Sequence, residues 1–280
     1  MIARRWQRAR AGVVALLLAL TSACAVRAGA AEPDYLALGD SITFGSHPAP
    51  PAEFADLSNF HSYADDTARK YGLTLVNAAC PGETAASMID TQAQSHGCEN
   101  NIGKHSGFRQ HHALHTWYDS SQLSFAVRFL QTHHGVKLVS LGIGLNDLFV
   151  CRDLHPGCSG TALTAFTRSL TRNLDTILDA LRVRAGYHGP LVLLRYYATQ
   201  YPDAQVAALN AIITAAAKRH GALIADGYQA FADATADTGG SACAAHLLAI
   251  RPDGRCDLHP SRAGQAVLAG SVQEALGKHL

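Results

Sequence analysis

Asp34-Tyr35-Leu36-Ala37-Leu38-Gly39 runs directly into Asp40-Ser41. The run is short and almost wholly apolar, and it stops at a glycine. A strand with one wet face alternates apolar and polar residues, whereas a strand buried on both faces reads as a continuous apolar run. The stretch is therefore read as a buried parallel strand, with Ser41 just beyond its carboxyl end. Residues 73–78, 136–141 and 191–194 repeat the pattern, and 222–225 repeat it more weakly. Helical patterns lie between them, over 62–71, 123–133, 161–185, 204–220 and 261–279. In the longest, Leu163, Phe166, Leu170, Leu174, Ile177, Leu178 and Leu181 recur at steps of mostly three and four residues, which places them on one helix face. Strands alternating with helices imply βαβ units and a parallel sheet covered on both sides. Neither an internal repeat nor an interdomain linker interrupts the pattern, so residues 31–280 are expected to form one domain.

The whole chain has 280 residues, of which 48% are hydrophobic and 16% charged, with a formal net charge of +1. That is a globular composition. No basic run follows the N-terminus, so nucleic-acid binding by bulk electrostatics has no support. Residues 1–30 read as an export signal. Arg4, Arg5, Arg8 and Arg10 precede the apolar stretch 11–20, and Ala28-Gly29-Ala30 is a small-x-small cleavage site. The stretch falls short of the ~20 residues of a membrane span. A mature chain beginning at Ala31, secreted and without a membrane span, is expected. The alternative is a lipoprotein anchored through Cys24, although Thr21-Ser22-Ala23-Cys24 matches a lipidation site only loosely.

Cys24 is one of seven cysteines, and the others are Cys80, Cys98, Cys151, Cys158, Cys243 and Cys256. An even number in an exported chain suggests disulfides. Their grouping favours neighbour pairing, Cys80–Cys98, Cys151–Cys158 and Cys243–Cys256. Cys-x-x-Cys and His-Glu-x-x-His are both absent from the sequence, so no metal site is expected.

In an open parallel sheet, ligands bind beyond the carboxyl ends of the strands. Four clusters fall on that rim: Gly39-Asp40-Ser41, Cys80-Pro81-Gly82-Glu83, Gly144-Leu145-Asn146-Asp147, and Asp257-Leu258-His259-Pro260 before the last helix. They contain the parts that acyl transfer requires. A serine hydroxyl needs an adjacent base, and a histidine with a pKa near ~6.5 suits that role. A developing oxyanion needs donors already in place, here the N–H groups of Ser41 and Gly82 and the amide of Asn146. Asp147 reads as structural. Thr43 stands where the Gly-x-Ser-x-Gly elbow needs its second glycine, which argues against an α/β-hydrolase.

These four blocks, in this order, resemble the GDSL or SGNH hydrolase superfamily, over nearly the whole mature chain. The resemblance implies a flavodoxin-like three-layer α/β/α sandwich with a central parallel sheet. It implies Ser41 as nucleophile, His259 as base, Ser41, Gly82 and Asn146 as oxyanion donors, and no cofactor. The three neighbouring cysteine pairs look like those of secreted actinobacterial lipases and esterases. The expected partner is a small-molecule or lipid ester, and the expected state a monomer. A carbohydrate acetylesterase is the alternative, followed by a catalytically inactive binding module.

The chain departs from the family in one place. The family's acid lies three residues before the histidine, where this chain has Cys256, while Asp257 lies two before. A residue two positions away is expected to start from the wrong face of an extended segment. A backbone carbonyl near Cys256, steadied by Cys243, is therefore expected to orient His259, with Asp257 as the competing acid. Two regions stay open. Residues 92–121 lack a clear period and carry His96, His105, His111, His112 and His115, which suggests a lid or rim, or a surface loop pinned by Cys98. Tyr196, Tyr197 and Tyr201 could line an acyl groove or simply pack.

Overall fold

The computed structural model describes residues 32–280; the leader, Cys24 and the Ala30 cleavage site lie outside the described residues. Five parallel strands form the central sheet: β1 (Tyr35–Gly39), β2 (Leu75–Asn77), β3 (Leu138–Gly142), β4 (Leu191–Leu194) and β5 (Leu223–Ala225), in the order β2-β1-β3-β4-β5. A separate antiparallel pair, β6 (Leu248–Ile250) and β7 (Cys256–Pro260), precedes the last helix. Nine α-helices accompany the strands among the described residues. They are α1 (Ser41–Phe44), α2 (Tyr63–Tyr71), α3 (Ala85–Ile89), α4 (Gln122–Thr132), α5 (Leu145–Leu154), α6 (Gly160–Asp179), α7 (Ala204–Arg219), α8 (Gly227–Ala234) and α9 (Arg262–Leu276). This is the α/β sandwich expected, with all five strand runs in the sheet.

Every residue of β1, β3 and β4 is buried, which is why their sequences show no alternation. The stripe on α6 buries Phe166, Leu170, Leu174, Ile177 and Leu178. Burying each such side chain contributes roughly 1.5–3 kcal/mol. The helix expected over 161–185 ends earlier as an α-helix, and its last turn, Ala180–Arg184, widens into a π-helix. Ser62 opens α2 with a capping box to Asp65, which fixes where that helix begins.

β1 and β3 run side by side in register from Tyr35 beside Leu138 to Gly39 beside Gly142. A Cβ on Gly39 would lie 2.2 Å from the Gly142 carbonyl oxygen, so only glycine lets the two strand ends approach this closely. The register also brings Asp40-Ser41 and Gly144-Leu145-Asn146 out at the same edge.

Candidate active site

Asp40 leaves β1 and caps α1, with Oδ1 accepting from the Ile42 N–H at 2.9 Å. Ser41 is therefore the first helical residue, and its N–H belongs to the donors that a helix leaves without an internal partner. The Tyr196 hydroxyl donates to the other Asp40 oxygen at 2.5 Å. Burial pushes the Asp40 carboxyl up to about 6, against these two hydrogen bonds and the nearby His259.

Gly82 sits in the turn after β2 at φ +82, and a Cβ there would lie 2.6 Å from the His96 carbonyl oxygen. Among the described residues, neither the Gly82 N–H nor the Ser41 N–H meets an acceptor. Asn146, in the first turn of α5, is buried and donates from Nδ2 to the Glu83 carbonyl at 3.0 Å. One Nδ2 hydrogen is thereby fixed, and the second remains for a ligand. Asp147 accepts from the Ala85 N–H at 2.8 Å, which ties α5 to α3.

His259 lies on β7, which was not anticipated as a strand. Its Nδ1 meets Asp257 Oδ1 at 2.5 Å, and the same oxygen accepts from the His259 backbone N–H at 3.0 Å. The expectation of an orienting backbone carbonyl is thus corrected. Side chains alternate along a strand, so residues two apart share a face, and Asp257 reaches the imidazole because β7 is extended. The hydrogen bond from His259 holds the Asp257 carboxyl below the usual carboxylate range, with Arg251 Nε 3.3 Å from its second oxygen.

Of the two readings open for the tyrosines, packing is the one the structure supports, since none of the three lines the cleft around Ser41. Tyr196 and Tyr197 are buried, and they brace the site from behind. The Tyr197 hydroxyl donates to the Leu258 carbonyl at 2.5 Å, while its ring stacks on Phe231. Tyr201 packs edge-on against Tyr228.

Ser41, Gly82, Asn146 and His259 all line one cleft of about 270 Å³. Its apolar wall comes from Pro81, Phe108, Leu145, Phe149 and Leu258, and Ser46 and His96 add polar groups. Residues 92–121 form part of this wall through His96, Gly97 and Phe108. They are anchored by the Cys80–Cys98 disulfide and by His115, whose Nε2 lies 3.0 Å from the Phe44 carbonyl. His105, His111 and His112 do not line the cleft. Cys151–Cys158 and Cys243–Cys256 are the other disulfides. Cys80, Glu83 and Cys98 come within 4.8 Å of one another, but the two sulfurs are bonded together and offer no thiolate to a metal.

A family model for GDSL-like lipases and acylhydrolases matches residues 37–267. The chain belongs to this family. All four blocks that line the cleft fall within the matched span, so this is a GDSL-type ester hydrolase. Solved structures share the GDSL fold. The acetylxylan esterase Axe2 of Geobacillus stearothermophilus is 17% identical with a TM-score of 0.54, the match covering 89% of this chain and 95% of that one. The lipase Lip_vut3 from a goat rumen metagenome is 14% identical with a TM-score of 0.53, covering 87% and 97%. At such identities the likeness is one of fold. Comparison with curated proteins finds no match.

Phe149, Phe108 and Arg251 escaped the sequence reading, as did the hydrogen bond from Tyr197 to the Leu258 carbonyl. Phe149 carried a weak signal, being three residues past Asn146 and so on the same helix face. The others are placed by tertiary packing alone.

Proposed function

We propose that this chain is a secreted serine esterase that cleaves carboxylic esters carrying an acyl chain. The observation that carries the reading is the meeting of Ser41, Gly82, Asn146 and His259 in one cleft, with His259 Nδ1 engaged by Asp257. With Nδ1 engaged, Nε2 is the nitrogen free to act as base. Ser41 Oγ attacks the ester carbonyl carbon as His259 takes its proton. The oxyanion forms against the Ser41 and Gly82 N–H groups and Asn146 Nδ2. His259 then returns the proton to the departing alcohol. A water molecule, activated by the same imidazole, hydrolyses the acyl-enzyme and frees Ser41. Asp257 holds the working tautomer and stabilises the imidazolium.

The apolar wall of Phe108, Leu145, Phe149 and Leu258 supports an acyl chain as the bound group. Ser46 and His96 support the second reading, a carbohydrate acetylester, and Axe2, which shares the fold, is an acetylxylan esterase. Hydrolysis of p-nitrophenyl esters of increasing chain length, set against acetylated xylose, separates the two. An organophosphonate that labels Ser41 and stops turnover tests the mechanism, and labelling elsewhere or continued turnover defeats it.

Three disulfides among the described residues support an oxidising compartment, and the leader supports export. They also support a place in the secreted actinobacterial branch. Mass spectrometry of the natural protein should find Ala31 at the N-terminus. A lipidated Cys24 there overturns the secreted assignment.

A further inference from the structure

Glu83 is a carboxyl group that the mechanism above does not use, and it is buried where three of the four blocks meet. Its Oε2 accepts from Gln122 Nε2 at 3.1 Å, and its Oε1 bonds the Ser87 hydroxyl. Gln122, at the start of α4, is itself fully buried. It holds Gly39 from both sides, accepting from its N–H at 2.6 Å and donating to its carbonyl at 3.0 Å. Gly39 lies two residues before Ser41. The Gln122 amide thus spends one hydrogen on Gly39 and the other on Glu83, and its oxygen on Gly39. Gly39 sets which way the amide points, and Glu83 takes its last hydrogen; without Glu83 that hydrogen is buried with no acceptor, and the amide shifts to find one, loosening the clamp on Gly39. The Glu83 backbone carbonyl meanwhile holds Asn146 Nδ2, and Glu83 directly follows Gly82.

We propose that Glu83 is a positioning residue for the oxyanion donors, its carboxyl locking the Gln122 amide that clamps Gly39 ahead of Ser41 while its carbonyl aims Asn146. The proposal rests on the hydrolase reading of the cleft. Its chemistry calls for the protonated acid. A carboxylate beside Gly82 would repel the oxyanion forming there, whereas a neutral carboxyl still accepts from Gln122. Burial pushes Glu83 up to about 8, with Ser87 and Gln122 opposing. The other groups facing it are the Glu99–Arg109 ion pair, the Tyr118 hydroxyl and the Cys80–Cys98 disulfide.

The test is steady-state hydrolysis of p-nitrophenyl butyrate across pH by the full chain and by its Glu83→Ala, Glu83→Gln and Ser41→Ala variants. Glu83→Ala is expected to lose about a hundredfold in kcat with KM nearly unchanged, because misplaced donors weaken the transition state rather than substrate binding. Glu83→Gln, which mimics the neutral acid, is expected to restore kcat to within about fivefold and to remove the fall in kcat that the natural chain shows as pH passes about 8. A Glu83→Ala variant with kcat within about twofold of the natural chain overturns the proposal. So does a Glu83→Gln variant that keeps the alkaline fall, and this second arm decides the matter if Glu83→Ala does not fold. Ser41→Ala separates the two readings. If it is inactive while Glu83→Ala is unimpaired, only the positioning role fails; if it stays active, the mechanism itself fails.

Discussion

Asp257 and His259 form a pair two residues apart on one strand, a single carboxylate oxygen accepting from both the backbone N–H and Nδ1 of the histidine. The family's acid lies one residue further away, so the same imidazole is served here by a different backbone path. β7 is extended and paired with β6, and the alternation of its side chains supplies the shared face.

This pairing sets the first expected outcome. Asp257→Asn should lower kcat by ~10³–10⁴, since the amide disfavours both the working tautomer and the imidazolium. Asn can still accept from the His259 backbone N–H, so thermal unfolding should change little. A loss of about tenfold in kcat would show that the carboxylate charge is not what matters.

Asn146→Ala should reduce kcat by ~10²–10³ with little change in KM, because an oxyanion donor acts mainly in the transition state. The variant also leaves the buried Glu83 carbonyl without its Nδ2 partner, so a modest drop in melting temperature should accompany it. Kinetics with a p-nitrophenyl ester and a thermal melt check both parts. A change confined to KM would reassign Asn146 to substrate binding.

The sheet was legible because its strands are buried on both faces and therefore read as apolar runs. The nucleophile, histidine, glycine and asparagine blocks were legible because they interrupt that pattern at strand ends. Shorter elements were not. α1 and α3 are too short to display a helical period, and α5, which begins at Leu145, carries the polar pair Asn146-Asp147 in its first turn, where it breaks any apolar period. Cys256-Asp257-Leu258-His259-Pro260 ends in a proline, a signal against a strand, and that concealed β7. Hidden with it was the simple fact that residues two apart on a strand face the same way. The Glu83–Gln122 contact joins positions 39 residues apart and leaves no local trace.

Cys243–Cys256 anchors the residue before Asp257, while the Tyr197 hydroxyl holds the Leu258 carbonyl on the other side. With two restraints on one segment, loss of the disulfide should cost stability more than catalysis. Cys243→Ser should lower unfolding free energy by ~2–4 kcal/mol and should reduce kcat by less than Asp257→Asn does. Denaturant melts and ester kinetics on the two variants give the comparison. The reverse order in kcat would make the backbone anchor, not the carboxylate, the feature that orients His259.

Buried carboxyls should also give the protein an unusual dependence of stability on pH. Asp40 is raised from 3.8 to about 6, Asp147 from 3.8 to about 7 and Glu83 from 4.5 to about 8, chiefly because burial disfavours their charged forms. In all three, the folded state holds a proton that the unfolded chain has already released. Stability falls with rising pH wherever the folded state binds more protons. For Asp40 that window runs from about 3.8 to about 6, for Asp147 from about 3.8 to about 7, and for Glu83 from about 4.5 to about 8. The contribution is complete below each window and gone above it. Asp257 acts in the opposite sense, because its folded value is lowered, and its contribution is lost only at the acid end as pH falls below the usual carboxylate range. Between about pH 5 and about pH 8 these three buried groups should therefore dominate, and melting temperature should decline across that interval. Glu83→Gln removes the window that reaches furthest into alkaline pH while keeping an acceptor for Gln122. It should melt at a temperature that depends less on pH, and above about pH 8 it should be more stable than the natural chain. A natural chain whose melting temperature rises from about pH 5 to about pH 8, with Glu83→Gln following the same slope, would mean that Glu83 is ionised and compensated in the folded state.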